Sequence, residues 1–158
     1  MKSYSQSLSA AQKKIQVADH MLTQTYPMVK DPKLLLAVLE NIFVSTSYSL
    51  DALLFFMRDQ KEIPQFQESF DSKYNSFKLH LAKKHNFSTE EINLILDLKK
   101  FVKFHKDSPV EFSRNNKFVI CSDKYEMKEI SLSEMKQYIK KANAFLKKIE
   151  NIIIKHES

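Results

Sequence analysis

Leu34–Met57 reads LLLAVLENIFVSTSYSLDALLFFM, the stretch around which the rest of the chain must fold. Seventeen of its twenty-four residues are apolar and none is Gly or Pro. A helix this apolar has no broad polar face, so it is expected to be buried against neighbours on several sides. It is not expected to span a membrane. Glu40, Asn41 and Asp51 interrupt it and no apolar run exceeds six residues, whereas a span needs roughly 20 mostly apolar ones. Asp31-Pro32 supplies the start, an N-cap carboxylate followed by a residue with no N–H to lose. At about 100° per residue, Glu40, Ser47 and Asp51 share a narrow wedge, the expected solvent strip. Asn41, Ser45 and Ser49 form a second line, where small serines let another helix come close.

The remaining composition agrees with a helical chain. At 158 residues, 1–158 reads as one domain. Zero Gly and four Pro argue against sheets and tight turns and favour long helices. One cysteine, Cys121, excludes an internal disulfide and suits a reducing cytosol. The opening MKSYSQSLSAAQKK lacks the apolar core of a secretory signal, so a cytoplasmic location is expected. Net charge is +6, compatible with an anionic partner such as RNA without diagnosing one. Of 25 basic residues only Arg58 and Arg114 are arginines, whose planar fork lysine cannot replace.

Outward from the central stretch, Tyr4, Leu8, Ala11, Ile15, Ala18 and Leu22 predict a helix over about 3–25, ended by Tyr26-Pro27. Phe66, Phe70, Tyr74, Phe77 and Leu81 predict a further core-facing helix, closed by Lys83, Lys84 and His85. Ser88 and Glu91 form a capping box with Phe87 and Ile92 as its staple, and the helix they start runs to about Lys106. Lys99, Lys103 and Lys106 share its outer face, either a solvated surface or a binding strip. Ser108-Pro109-Val110-Glu111 reads as the start of a short helix. Lys117–Cys121 and Glu126–Ile130 read as the strands of a hairpin around Ser122-Asp123-Lys124. Ser131 and Glu134 open the last helix, whose seam runs from Met135 to Ile152 with Lys136, Lys140 and Lys147 outside. The fold expected is all-α: a single-domain bundle of about five helices with a short β-hairpin before the last helix.

Chemistry is sparse. No two histidines stand at the i, i+4 spacing that would place both ligands on one helix face, so no metal site is expected. Without glycine there is no phosphate-cradling loop and no serine nucleophile elbow, and no cofactor is expected. Cys121 follows an apolar run and reads as a buried, inert thiol.

Arg114-Asn115 is the sharpest local feature. It reads either as a helix C-terminus followed by a turn, since Asn tolerates αL, or as part of a site. Arg followed by a polar residue, after the third or fourth helix of a bundle and before a long closing helix such as the one after Met127, resembles the HEPN family. Its motif is Arg-polar-x-x-x-x-His. The likeness covers helix order over most of the chain and sequence only over about 108–150. The histidine slot falls within Asn115–Cys121, where no histidine stands, and Cys121, seven residues after Arg114, is a poor general acid or base. The resemblance therefore implies a non-catalytic, HEPN-like bundle binding RNA or a cognate protein. Arg114, Asn115, Lys117, Lys99, Lys103 and Lys106 are the candidate binding residues. Two alternatives stand beside it: an interaction bundle unrelated to HEPN, and an active ribonuclease using Arg114 with a base from outside the motif, such as His105. A homodimer is expected from the apolar surplus on the central and last helices and from the HEPN-like arrangement.

Overall fold

The computed structural model describes residues 3–158. Helix α1, Tyr4–His20, starts at Ser3, whose hydroxyl accepts from the Gln6 amide at 3.2 Å. It does not stop at Tyr26-Pro27. The chain passes through a π turn, Met21–Thr25, into a short helix α2, Tyr26–Val29. Proline lacks the N–H of the α ladder and its ring clashes with the carbonyl four residues back. The wider π turn lies just ahead of Pro27, and Tyr26 bonds five residues back to the Met21 carbonyl. Lys30, at φ 55°, ends the rod.

Helix α3, Leu34–Asp59, is the central stretch, and it begins a little later than Asp31 suggests. The Asp31 carboxylate accepts from the Lys33 amide at 3.0 Å and organises the turn leading into the helix. By length and composition α3 is apolar enough to cross a membrane. Fifteen of its residues are buried inside the bundle, which is what its composition is for. Glu40 is exposed, while Ser47 and Asp51 are half-buried, and Asp51 pairs with Lys73 at 3.0 Å.

The serine line faces α1. Ser45 donates to the Ala11 carbonyl at 2.7 Å, against an α1 face built from Ser7, Ala11 and Ala18. Small residues on both sides allow this approach. Tyr4 meets Phe56 ring to ring at 4.9 Å, so α1 and α3 run antiparallel. Helix α6, Leu132–Glu157, closes the bundle parallel to α3: Phe56 meets His156 at 5.3 Å, and Tyr4 donates to Glu157 at 2.6 Å.

Helix α4, Phe70–His80, is shorter than its aromatic stripe suggests. Ser69 caps it, and Phe66 stays outside in the preceding loop. Phe66 stacks on Phe55 at 6.0 Å, and Arg58 lies over both rings at 5.2 and 5.0 Å, so that arginine is structural. Lys83, Lys84 and His85 lie in the turn beyond α4. Helix α5, Thr89–Lys106, carries both bonds of the Ser88–Glu91 capping box. One apolar cluster joins all these helices to the inner side of a small sheet.

The sheet departs furthest from expectation. It has three antiparallel strands in the order β1 (Val110–Arg114), β2 (Lys117–Cys121) and β3 (Met127–Ile130). The β2–β3 hairpin is the one predicted. No helix forms from Ser108 to Glu111, because the Ser108 hydroxyl turns back to the Phe104 carbonyl at 2.6 Å and serves the end of α5. Val110 and Phe112 then continue as a strand. Asn115 and Asn116, at φ 50° and 62°, are the two central residues of a hairpin turn, the pattern of a type I′ turn. In a chain without glycine, asparagine is the residue that takes left-handed φ most readily.

Candidate functional site

Alternation along the strands sorts the sheet into two faces. Phe118 and Ile120 enter the core, and Glu111, opposite Ile120, shares that side. The outer face carries Val110, Phe112 and Arg114 on β1, Lys117, Val119 and Cys121 on β2, and Met127 and Glu129 on β3. Val119 is fully buried yet stands apart from the core cluster. All five β1 residues are exposed, with Val110 at 52% and Phe112 at 38%.

Arg114 is therefore not a helix-end residue. It closes the β1–β2 hairpin opposite Lys117, and both reach the Glu129 carboxylate at 3.3 Å. The hydrogen bond from Lys117, then that from Arg114, holds the Glu129 carboxyl below its ordinary range. The Arg114 guanidinium also lies 5.9 Å from the Phe112 ring. Asn115 is spent on the turn, as the turn reading expects.

The α5 lysines sit elsewhere. Lys99 lies over the Phe70 ring at 3.8 Å and 3.9 Å from Asp71, facing α4. Lys103 lines a shallow groove of about 340 Å³ with Phe104, Ser122 and Lys124. Lys106 is exposed near the end of α5. Strand β1 leads away from that end for five residues, so Arg114, Asn115 and Lys117 lie roughly 16 Å further along the sheet. The six candidate residues thus form no single site: three gather at the hairpin and three spread along α5. His105 packs against Glu111 at 3.2 Å, on the side of the sheet opposite Arg114. Cys121 is half-buried on the outer face, and its thiol lies 3.6 Å from the Ser122 carbonyl.

A further basic feature lies along α6. Lys136, Lys140 and Lys147 line up with Asn143 and Asn151 down the outside of α6. The three lysines are exposed and make no ion pair among the described residues. Along α6 the acids beside this line are Glu134, two residues before Lys136, and Glu150, three past Lys147. The line runs into a cleft of about 660 Å³ between α6 and the α4–α5 turn, lined by Lys84, His85, Asn86, Lys148, Lys155 and His156 among others. Glu62 bonds Lys84 and His156 there, each at 3.2 Å, and Lys148 bonds the Asn86 carbonyl at 2.7 Å and Glu91 at 3.0 Å. Burial, with Lys84 nearby, pushes the His85 imidazole below its ordinary value.

The homodimer expectation loses part of its motive, since the apolar surplus of α3 is consumed inside the bundle. On α6, Ile154 remains 61% exposed. Among the described residues, no group of three or more His, Cys, Asp or Glu is arranged to hold a metal ion. No family model and no curated protein matches the chain.

Proposed function

We propose that this protein is a non-catalytic, HEPN-like helical bundle that binds the phosphate backbone of RNA along the outside of α6. The observation that carries this reading is the line of Lys136, Lys140 and Lys147, exposed and without acidic partners, which leads into the cleft at Lys84 and Lys155. By contrast Arg114 and Lys117 share Glu129, and Lys99 is held by Phe70 and Asp71. A lysine already paired with a carboxylate has less to gain from a phosphate. The non-catalytic part rests on the missing motif histidine and on His105 lying across the sheet from Arg114.

The test is anisotropy of a labelled single-stranded RNA across a salt series. Each phosphate contact with a single strand contributes about −0.7 to the slope of log affinity against log salt. Replacing Lys136, Lys140 and Lys147 together by Gln should flatten the slope by roughly 2 while leaving the fold intact. An equal loss from Arg114→Ala alone would move the site to the hairpin. RNA cleavage abolished by that same variant would make the protein a ribonuclease. Absence of binding at low salt would leave the positive charge as solubility and favour a protein-interaction bundle unrelated to HEPN.

A further inference from the structure

We infer that the open edge of β1 pairs with β1 of a second copy, antiparallel and two-fold at Phe112, joining two three-stranded sheets into one. The β1–β2 hairpin closes at Arg114–Lys117, and its register then alternates. In such a ladder every second residue turns both its N–H and C=O toward the partner strand. Val110, Phe112 and Arg114 therefore spend their amides on β2, while those of Glu111 and Ser113 point away from it. All five residues are exposed, and none of the described residues bonds to the outward backbone groups of Glu111 and Ser113. Natural edges are commonly blunted by lysine, by proline within the strand or by a bulge. Val110–Arg114 has none of these, and its one inward-facing charge, Glu111, is already engaged by His105 at 3.2 Å.

Charge and register select the occupant. An added antiparallel strand must place Glu111 and Ser113 in the hydrogen-bonded pairs. A two-fold axis at Glu111 sets that carboxylate against its own copy, and like charges directly opposite are unfavourable. An axis at Ser113 pushes Glu111 past the strand end, against Asn115 of the turn. The axis at Phe112 uses all five residues, pairing Glu111 with Ser113, Phe112 with itself and Val110 with Arg114. No like charges meet. The outer faces then run on from one copy to the other, and the exposed side chains of Val110 and Phe112 gain a neighbour across the new strand pair. The fit of this strand to itself singles out a second copy of the chain rather than an unrelated peptide.

Two substitutions test the inference, both followed by sedimentation over a micromolar concentration series. Ser113→Pro removes the outward N–H while sparing every β1–β2 bond, as edge proline does. It should raise the dimer dissociation constant at least tenfold with the helical circular dichroism retained. In a Cys121→Ser background, Phe112→Cys places two thiols in a close non-hydrogen-bonded pair, with Cα atoms about 4.5 Å apart, within disulfide reach. Mild oxidation should yield a covalent dimer, and Glu111→Cys should yield none. A monomeric unmodified protein, a dimer indifferent to Ser113→Pro, or a Phe112→Cys variant that stays uncrosslinked would each overturn it. The crosslinking arm decides alone should the proline variant fail to fold.

Discussion

At the scale of single residues, two side chains connect distant segments. The Ser45 hydroxyl, buried and bonded to Ala11, is small enough to admit α1 and polar enough to use one of its carbonyls. Ser45→Ala should cost about 1 kcal/mol, whereas Ser45→Leu overfills the contact and should cost about 1–3 kcal/mol or more. Urea unfolding of both variants gives the comparison. Glu129 ties the hairpin end together. Its folded pKa is depressed, so its contribution is present above the unfolded value and fades as pH falls through the lower folded one. A carboxyl titration followed by NMR should place its midpoint below 4.5 and move it upward in Lys117→Ala. Arg114-Asn115 was visible in the sequence as a feature and Asn115 as a turn residue. Glu129 was not, because the strand register, rather than any local spacing, brings it opposite.

At the scale of elements, α3 governs stability. Leu39, Leu53 and Leu54 are fully buried, and each should cost roughly 2–5 kcal/mol when cut to Ala. Phe43 is only half-buried, so its truncation should cost less than any of the three. Chemical denaturation of the four variants would expose the error if Phe43 proved the worst. The long helices were legible because an apolar stripe repeated over several turns has few other readings. Strand β1 was not. Ser108-Pro109-Val110-Glu111 has the local chemistry of a helix start, and a five-residue strand offers too few repeats to contradict it. The better signal was Asn115-Asn116, two residues that accept positive φ between strand-length runs. Asn116→Gly, the residue a type I′ turn prefers there, should leave stability unchanged or raise it by up to about 1 kcal/mol. A clear loss in melting temperature would show that the turn is held by asparagine's side chain instead.

At the scale of the molecule, net charge was legible and its distribution was not. Lysines are visible in a sequence. The carboxylates that neutralise them stand far along the chain, as Glu129 does from Arg114, Asp71 from Lys99 and Glu62 from Lys84. The α6 line survives this subtraction, which is why it displaces the α5 lysines as the candidate surface. The cleft beside it also sets a pH response. Burial and then Lys84 lower the pKa of His85, with Glu62 opposing and His156 and Lys148 adding to the effect. As pH falls below about 6.5 the unfolded chain takes up this proton before the folded one does, so stability declines through that window. His85→Gln should flatten the decline in melting temperature measured from neutral pH downward. An unchanged slope would assign the acid sensitivity to other groups.

The parallel seating of α6 on α3 has a consequence for how the protein is made. The two helices begin about a hundred residues apart along the chain, at Leu34 and Leu132. At roughly 5–20 residues per second of synthesis, α3 waits on the order of 5–20 s for the helix that completes its cover. During that interval α1 can shield the serine line and, through Tyr4, one side of Phe56, while the face of α3 that α6 will cover stays open. Nascent chains stalled before α6 should therefore associate with chaperones or aggregate, and chains stalled well past it should not.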